Sequence, residues 1–501
     1  MTISNAQYTA WLAADGVTRE VLVEASCNSS SAEVTRYLSK FGYRSGAGDS
    51  PANTGYASRL TGTLSLARSV SISNADPSVQ MIVSSIDIDN TDGALDSWLN
   101  DAWEKRTLKV FLGDPSWARA DFRQVFAGRS AMLKPSGRSK LSLIVYDEMQ
   151  RLNFSVSETT LGGTTANKDA VIPQTWGEAF NVTPLLTNPA THEYQVHPGV
   201  IESVLEARDN GAPISITATP TTGKFTLSAS PVGTITCDVQ GAKTVSGSVY
   251  VKSVATIIQE LATAYGDATT RLSAGEVDST VFTAFDSANP QSVGIFLSGK
   301  TNVLDACNQV AASVQGSVHF SRAGLLRLWR PPTGVGSPIA TFGTGEMRDG
   351  SFVAVEVLPA APAVTLGWGK NWTPDAQMAG GVAETSVTEL KLEWREVAVK
   401  DATACTLRRY TTRPVREETL LVVDTEATTE ANKRLTFRTT GHTIIEFETT
   451  LKAMELELGD AITVVHPRFG CSAGKTGWVI GTTENLGETG SPFRVKLEVL
   501  L

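Results

Sequence analysis

Histidine and cysteine are scarce in this chain of 501 residues, with five of each. The cysteines (Cys27, Cys237, Cys307, Cys405 and Cys471) are far apart, and no C-x-x-C occurs. Neither a zinc site nor a disulfide framework is expected from such spacing, and free thiols made in a reducing cytoplasm fit it. The histidines (His192, His197, His319, His442 and His466) form no H-E-x-x-H pair, and no G-x-S-x-G elbow is present. Each reads as a turn or surface histidine. Basic charge is also in deficit: 43 Lys and Arg stand against 52 Asp and Glu, a formal net charge of −9. General nucleic-acid binding needs a basic face that displaces counterions from phosphate, so that balance argues against it. No apolar run reaches the length of a membrane span. The opening "MTISNAQYTAWLAADG" lacks the basic-then-apolar order of a secretion signal. No short-period repeat and no low-complexity tract is found.

What is abundant is strand-and-turn grammar. Hydrophobic residues make up 41% of the chain and charged ones 19%, the balance of a folded chain, and the length predicts three to four domains. Period-two alternation marks strands at Thr18–Ser26, Arg59–Ser73, Gln80–Ile88, Leu108–Asp114, Phe122–Leu133 and Lys140–Asp147. "ALDSWLNDAWEKR" places Leu95, Trp98, Leu99 and Ala102 on one helical face. Thr165–Leu186 reads as irregular. "IESVLEARDNGAPIS" reads as a hairpin turning at Asn210–Gly211, and Gly223–Gly241 as two short strands.

The pattern changes at Ser253. "SVATIIQELATAYG" has helical spacing, Ser253 as N-cap and Gly266 as stop, and "TNVLDACNQVAASVQG" repeats the scheme up to Gly316. "SVHFSRAGLLRLWRP" is a hairpin around Ala-Gly, and Pro331–Pro338 is a boundary. Beyond it "PAVTLGWGKNW", "ELKLEWREVAVK", "HTIIEFETTL" and "LELGDAITVVH" read as strands, with one short helix at "ATTEANKRLTF". The fold class expected is mainly β with an α+β insertion. Four units are expected: 1–155, β-barrel-like; 156–250, a β-rich linker or second domain; 251–338, α+β; and 339–501, β-barrel-like.

Two stretches imitate chemical motifs. In "SSIDIDNTDGALD", Asp87, Asp89, Asp92 and Asp96 surround Gly93. Counting an EF-hand from Asp87 puts Asp92 at the glycine position and Trp98 at the glutamate position; counting back from Gly93 puts Ile88 first. Neither register supplies the ligands, and an acidic turn leading into a helix is the reading. "GCSAGKT" (Gly470–Thr476) has only three residues between its glycines, one short of a Walker loop, and leads into a strand. Carboxylate pairs for glycoside cleavage need not be close in sequence, so 52 acidic residues carry no information on them. No catalytic, cofactor-binding or metal-binding residue is assigned, and the chain is not read as an enzyme.

Two longer stretches carry a resemblance. "SSIDIDNTDGALDSWLNDAWEKRTLKVFLGDP" followed by "FRQVFAGRSAMLKPSGRSKLSLIVYDEMQRLN" resembles the N-terminal part of tail-tip proteins of tailed bacteriophages. "TWGEAFNVTPLLTNPATHEYQVHPGVIESVLEARDNGAPI" and "LELGDAITVVHPRFGCSAGKTGWVIGTTENL" are similar to later parts of such proteins, in the same order. The resemblance implies a virion structural protein, the baseplate hub, related to the trimeric hub of contractile tails. Two β-barrel-like domains per chain would let three copies join a sixfold tube to a threefold tip. It further implies a homotrimer at the distal end of the tail, assembled in the host bacterial cytoplasm. Implied partners are a distal tail or tail tube protein, the tape measure protein, and central tip or fibre proteins. Roles in host attachment and DNA ejection follow, with DNA passing through the ring without specific binding, and neither cofactor nor membrane segment. A sixfold distal-tail ring protein is the alternative within the baseplate; a receptor-binding or carbohydrate-degrading tail protein is the alternative of another class.

Overall fold

The computed structural model describes all residues except 1, 15, 71, 73–82, 245–248, 267, 335, 376–377, 381 and 488–492. The chain is mainly β, with 41% strand against 20% helix. Its largest sheet has nine strands and is built around Ala32–Ser39, Glu20–Ser29, Arg106–Gly113, Arg123–Pro135, Lys140–Asp147 and Val83–Asp89. Alternation decides which face is buried: along Lys140–Asp147 the residues Leu141, Leu143 and Val145 point into the core. The expected Arg59–Ser73 strand divides at Gly62 (φ +70°) into Leu60–Thr61 and Leu64–Ser69. Residues 71, 73 and 80–82 of the expected strands lie outside the described residues.

That division sends the chain into a second sheet. Leu60–Thr61 pairs with Val83–Asp89, whereas Leu64–Ser69 pairs antiparallel with Lys475–Leu486 at the far end of the sequence. The receiving sheet has seven strands, including Ala340–Phe342, Ala461–Val464, Arg494–Leu500, His442–Thr449 and Val353–Leu358. One hydrophobic core runs through both sheets, from Tyr8, Val23 and Leu143 to Phe447, Leu497 and Leu501. The barrel-like sheets expected from the sequence remain open in strand order among the described residues. The nine-stranded sheet ends in the two-residue strands Tyr43–Arg44 and Leu60–Thr61, which pair with their inner neighbours and not with one another.

Between these β units lies the α+β part. Ser253 caps the helix Val254–Ala264 through a capping box with Thr256, and Ile257, Ile258 and Leu261 are fully buried. Asn302 caps Val303–Ala312, which packs against it. A third helix, Ser279–Ala288, has Asp278 as N-cap. The hairpin of Ser317–Phe320 and Leu326–Trp329 turns at Gly324 (φ +81°). Long helix Asp424–Arg438 packs on the three-stranded sheet of Arg395–Lys400, Ala363–Trp368 and Arg416–Glu418.

Four sequence expectations are corrected. The Leu95–Ala102 segment is only a five-residue 3-10 turn, Asp96–Asn100, none of whose residues is buried as a helical apolar face would be; Trp98 lies beside Trp103 and under Arg36. Gln174–Val182, expected to be irregular, is a nine-residue strand of the five-stranded sheet, paired on one side with Ile235–Ala242 and on the other with Gly294–Leu297. "ELKLEWREVAVK" divides into the end of helix Glu384–Lys391 and the strand Arg395–Lys400. His197 and His319 are buried rather than at turns or on the surface.

Gln174–Val182 also explains its own glycine. Gly177 has φ +63°, and a Cβ there would lie 1.7 Å from the Val293 carbonyl oxygen. In the paired strand, a Cβ on Gly294 would lie 1.7 Å from the Glu178 carbonyl oxygen. The two backbones approach closer than any side chain permits. Gly177→Ala is expected to cost about 2–3 kcal/mol, the upper range for overpacking, measured by equilibrium denaturation.

Candidate functional site

The acidic turn uses its carboxylates locally. Asp92 accepts two bonds from Arg59, at 2.9 and 2.7 Å, and the Ala94 N–H at 3.1 Å. The Arg59 guanidinium and the backbone N–H hold the Asp92 carboxyl down at about 2. Asp89 accepts the Thr91 hydroxyl at 2.6 Å, and Asp96 accepts the Asn90 amide at 2.7 Å. Asp87 sits in strand register between Thr61 and Ser142. These residues are neighbours along the turn, yet no three His, Cys, Asp or Glu side chains gather as a metal-holding group among the described residues. Replacing Asp87, Asp89 and Asp92 with Asn is expected to leave the response of the melting temperature to calcium unchanged. Calorimetry with and without the ion checks it.

Gly470–Thr476 is the loop between strands Ala461–Val464 and Lys475–Leu486, with Phe469, Gly470 and Gly474 at positive φ. Its backbone bonds close inward: the Cys471 N–H donates to Arg468, and the Gly474 N–H to Cys471. Lys475 and Thr476 already pair with Val464 and Thr463. The loop therefore turns a hairpin.

The histidines stand apart from one another. His197 packs edge-on against Trp176, accepts the Thr175 N–H at 3.2 Å, and is pushed down to about 4 by burial. His319 is pushed down to about 3, again chiefly by burial. His442 stacks on Phe437 and His466 on Phe352. His192 occupies a turn at φ +51°. Four of the five cysteines are buried and all are free.

Two buried ion networks, invisible in the sequence, hold the units together. In the first, Arg68 reaches Glu457 at 2.6 Å and Arg322 reaches Glu484 at 2.6 Å. The Arg322 side chain also donates to the Leu456 carbonyl, and its backbone N–H donates to Glu457 at 3.1 Å. Gln124 donates to the Arg322 carbonyl at 3.0 Å. The nine-stranded sheet, the 317–329 hairpin and the C-terminal sheet thus meet at one residue, Arg322, through its backbone and its guanidinium together. Burial pulls the Glu457 carboxyl up, but Arg68 and Arg322 outweigh it and hold the group at about 2. In the second network, Glu430 receives Arg434 at 2.9 Å and Arg330 at 2.9 Å, while Glu417 receives Arg434 and Arg438. Arg434 also donates to the carbonyls of Ala312 and Ser313, at 2.8 and 3.0 Å, satisfying the end of a neighbouring helix.

The surface feature that offers itself to a partner is a sheet edge. Val353–Leu358 is the last strand of the C-terminal sheet, bonded on one side to His442–Thr449. Val353, Val355 and Val357 are 41%, 50% and 66% exposed, with a register break between Ala354 and Glu356. An edge of six residues with exposed valines leaves backbone donors and acceptors for another strand. This strand is not among those expected from the sequence. Its signal is the Val-x-Val-x-Val alternation between Gly350 and Pro359.

The architecture defines a class: a multi-sheet, mainly β chain tied together by buried charge, in which the recognisable chemical motifs resolve into turns. No family model and no curated protein matches it. Among solved structures it is similar to the tail protein from Neisseria meningitidis MC58, at 10% identity, 96% of each chain covered and a TM-score of 0.42. The 43 kDa tail protein of prophage MuSo2 from Shewanella oneidensis is similar at 8% identity, 96% of this chain and 97% of that one, with a TM-score of 0.40. Prophage tail protein gp18 from Listeria monocytogenes EGD-e follows at 8% identity, 96% and 94% coverage, and a TM-score of 0.40. These three solved structures are each described as tail proteins.

Proposed function

We propose that this chain is a non-enzymatic structural component of a bacteriophage tail, acting as the baseplate hub at the distal end. The observation that carries the reading is the exposed edge strand Val353–Leu358 on a sheet that Leu64–Ser69 ties to the N-terminal part of the chain. A ring needs a rigid subunit with a pairing edge, and strand addition supplies both affinity and register. The ordered sequence resemblance to tail-tip proteins supports the same role. In this reading residues 1–155 and 339–501 provide the two ring-forming β units, and three copies join tube to tip. Distal tail or tube, tape measure and tip or fibre proteins are its neighbours. Electron microscopy of particles from the source organism, labelled with antibody against this chain, tests it. Label at the tail end with threefold averaging is the expected result. A sixfold tip would make it the distal-tail ring, and unlabelled particles would end the reading.

A further inference from the structure

The three-stranded sheet has an open edge of its own. Arg395–Lys400 is its terminal strand, bonded on one side to Ala363–Trp368 and on the other to no strand among the described residues. The Asp401 N–H donates to the Pro362 carbonyl at 2.9 Å, in register with that ladder. Strand alternation then turns the backbone groups of Arg395, Val397 and Val399 inward, and those of Glu396, Ala398 and Lys400 outward. The side chains of Glu396, Ala398 and Lys400 are exposed, whereas Val397 and Val399 pack towards Ala431 of the helix Asp424–Arg438. The chain thus carries two edges of six residues each, this one and Val353–Leu358.

The two edges match in sequence and in charge. Each contains Val-Ala-Val, at 353–355 and at 397–399, followed directly by one charged residue. That residue is Glu356 on the first edge and Lys400 on the second. Both are exposed, and neither forms an ion pair among the described residues. Side by side in the same direction, the triplets align residue for residue and Glu356 meets Lys400. Neighbouring β-branched side chains and opposite charges are the pairs that stabilise a sheet. In that register Val353 and Val355 continue the apolar surface begun by Val397 and Val399. Pairing of Val353–Leu358 with the same edge of another copy supplies Glu356 with no opposite charge.

We infer that copies of this chain join edge to edge, Val353–Leu358 of one against Arg395–Lys400 of the next. The inference rests on the proposed ring-forming role and names its contact. One edge can be used only once, so a ring needs a second, different surface on every copy. Two unlike edges make a heterologous contact, which closes into a ring when the rotation between copies divides a full turn. Backbone bonds along the edges supply affinity, and the meeting of Glu356 with Lys400 sets the register.

Sedimentation of the full chain and of two edge variants tests it. Val355→Lys with Val357→Lys blocks the first edge, and Ala398→Pro removes an outward N–H from the second. Each variant by itself is expected to be a monomer. Mixed in equal amounts they are expected to form a dimer and nothing larger, since each supplies the edge that the other lacks. Charge reversal is a second readout, and it decides the matter should Ala398→Pro not fold. Glu356→Lys and Lys400→Glu are each expected to raise the dissociation constant of the assembly about tenfold, and together in one chain to restore it. A mixture that stays monomeric overturns the inference, as does a folded Ala398→Pro variant that assembles by itself. A double reversal no tighter than the single ones, or a parent chain that is monomeric at every concentration, overturns it too. Tail labelling is read separately: a dimer in the mixture with unlabelled particles keeps the edge contact and ends only the hub reading.

Discussion

Arg322→Met is expected to destabilise the protein by about 3–5 kcal/mol, the cost of leaving a buried charge without its partner. Glu484 is fully buried, and Arg322 is its close ion-pair partner at 2.6 Å; the next guanidinium, Arg68, stands 3.8 Å away. The substitution also strands the Leu456 carbonyl, whereas the Gln124 bond, made to the backbone carbonyl of residue 322, is kept. Methionine nearly preserves the volume, so packing loss is a minor part. Guanidinium titration of the full chain measures the effect, and a second substitution separates its causes. In Arg322→Met with Glu484→Leu the orphan charge disappears, and more than half of the lost stability is expected to return. If the double variant is no more stable than the single one, geometry rather than charge holds the junction.

Acid should attack the same junction. The Glu457 carboxyl is held at about 2 in the folded protein against an ordinary 4.5. A depressed acid contributes stability that is complete above the ordinary value and is lost as pH falls from about 4.5 towards 2. His197 and His319 act in the same direction. Their folded values, about 4 and about 3, lie below an ordinary 6.5, so only the unfolded chain takes up their protons at first. Stability is therefore expected to decline from about pH 6.5 downwards, and more steeply below 4.5. Arg322→Met should flatten the lower part of that decline.

Local grammar was legible in the sequence wherever one rule acted alone. Lys140–Asp147 is a strand with the expected bounds, and Ser253 caps the helix assigned to it. The errors fall where two rules compete. Gln174–Val182 contains Gly177 and Asn181, both at positive φ, so turn residues disguised a strand in which Gly177 serves close backbone approach. In "ELKLEWREVAVK" the Leu390, Leu392 and Trp394 alternation masks the last turn of a helix that buries only Leu390 along its length. The stabilising networks were beyond reach because their members are remote: Arg68 and Glu457 are 389 residues apart. Nothing local distinguishes a glutamate that will be fully buried, such as Glu430, from one on the surface.

For a chain that acts as the proposed hub, Val355→Lys combined with Val357→Lys is expected to abolish ring assembly while leaving the subunit intact. Both side chains are at least half exposed, so the folded monomer loses little contact, less than about 0.5 kcal/mol. An incoming strand, by contrast, would have to cover two ammonium groups on a narrow edge. Lysine at this position is how natural sheets prevent such pairing. Multi-angle light scattering of the purified chain, with and without its neighbouring tail proteins, reads the outcome. Wild type should form a closed oligomer whose mass gives the number of copies, and the variant should run as a monomer with an unchanged denaturation midpoint. The choice of edge matters, because the other end of this sheet, Ala340–Phe342, spans only three residues and lies parallel to its neighbour. A short parallel edge offers fewer well-aligned bonds than six antiparallel residues do. If the variant still assembles, the ring contact lies elsewhere. If it unfolds, the valines are needed by the subunit itself, and the exposed edge loses its claim as the docking strand.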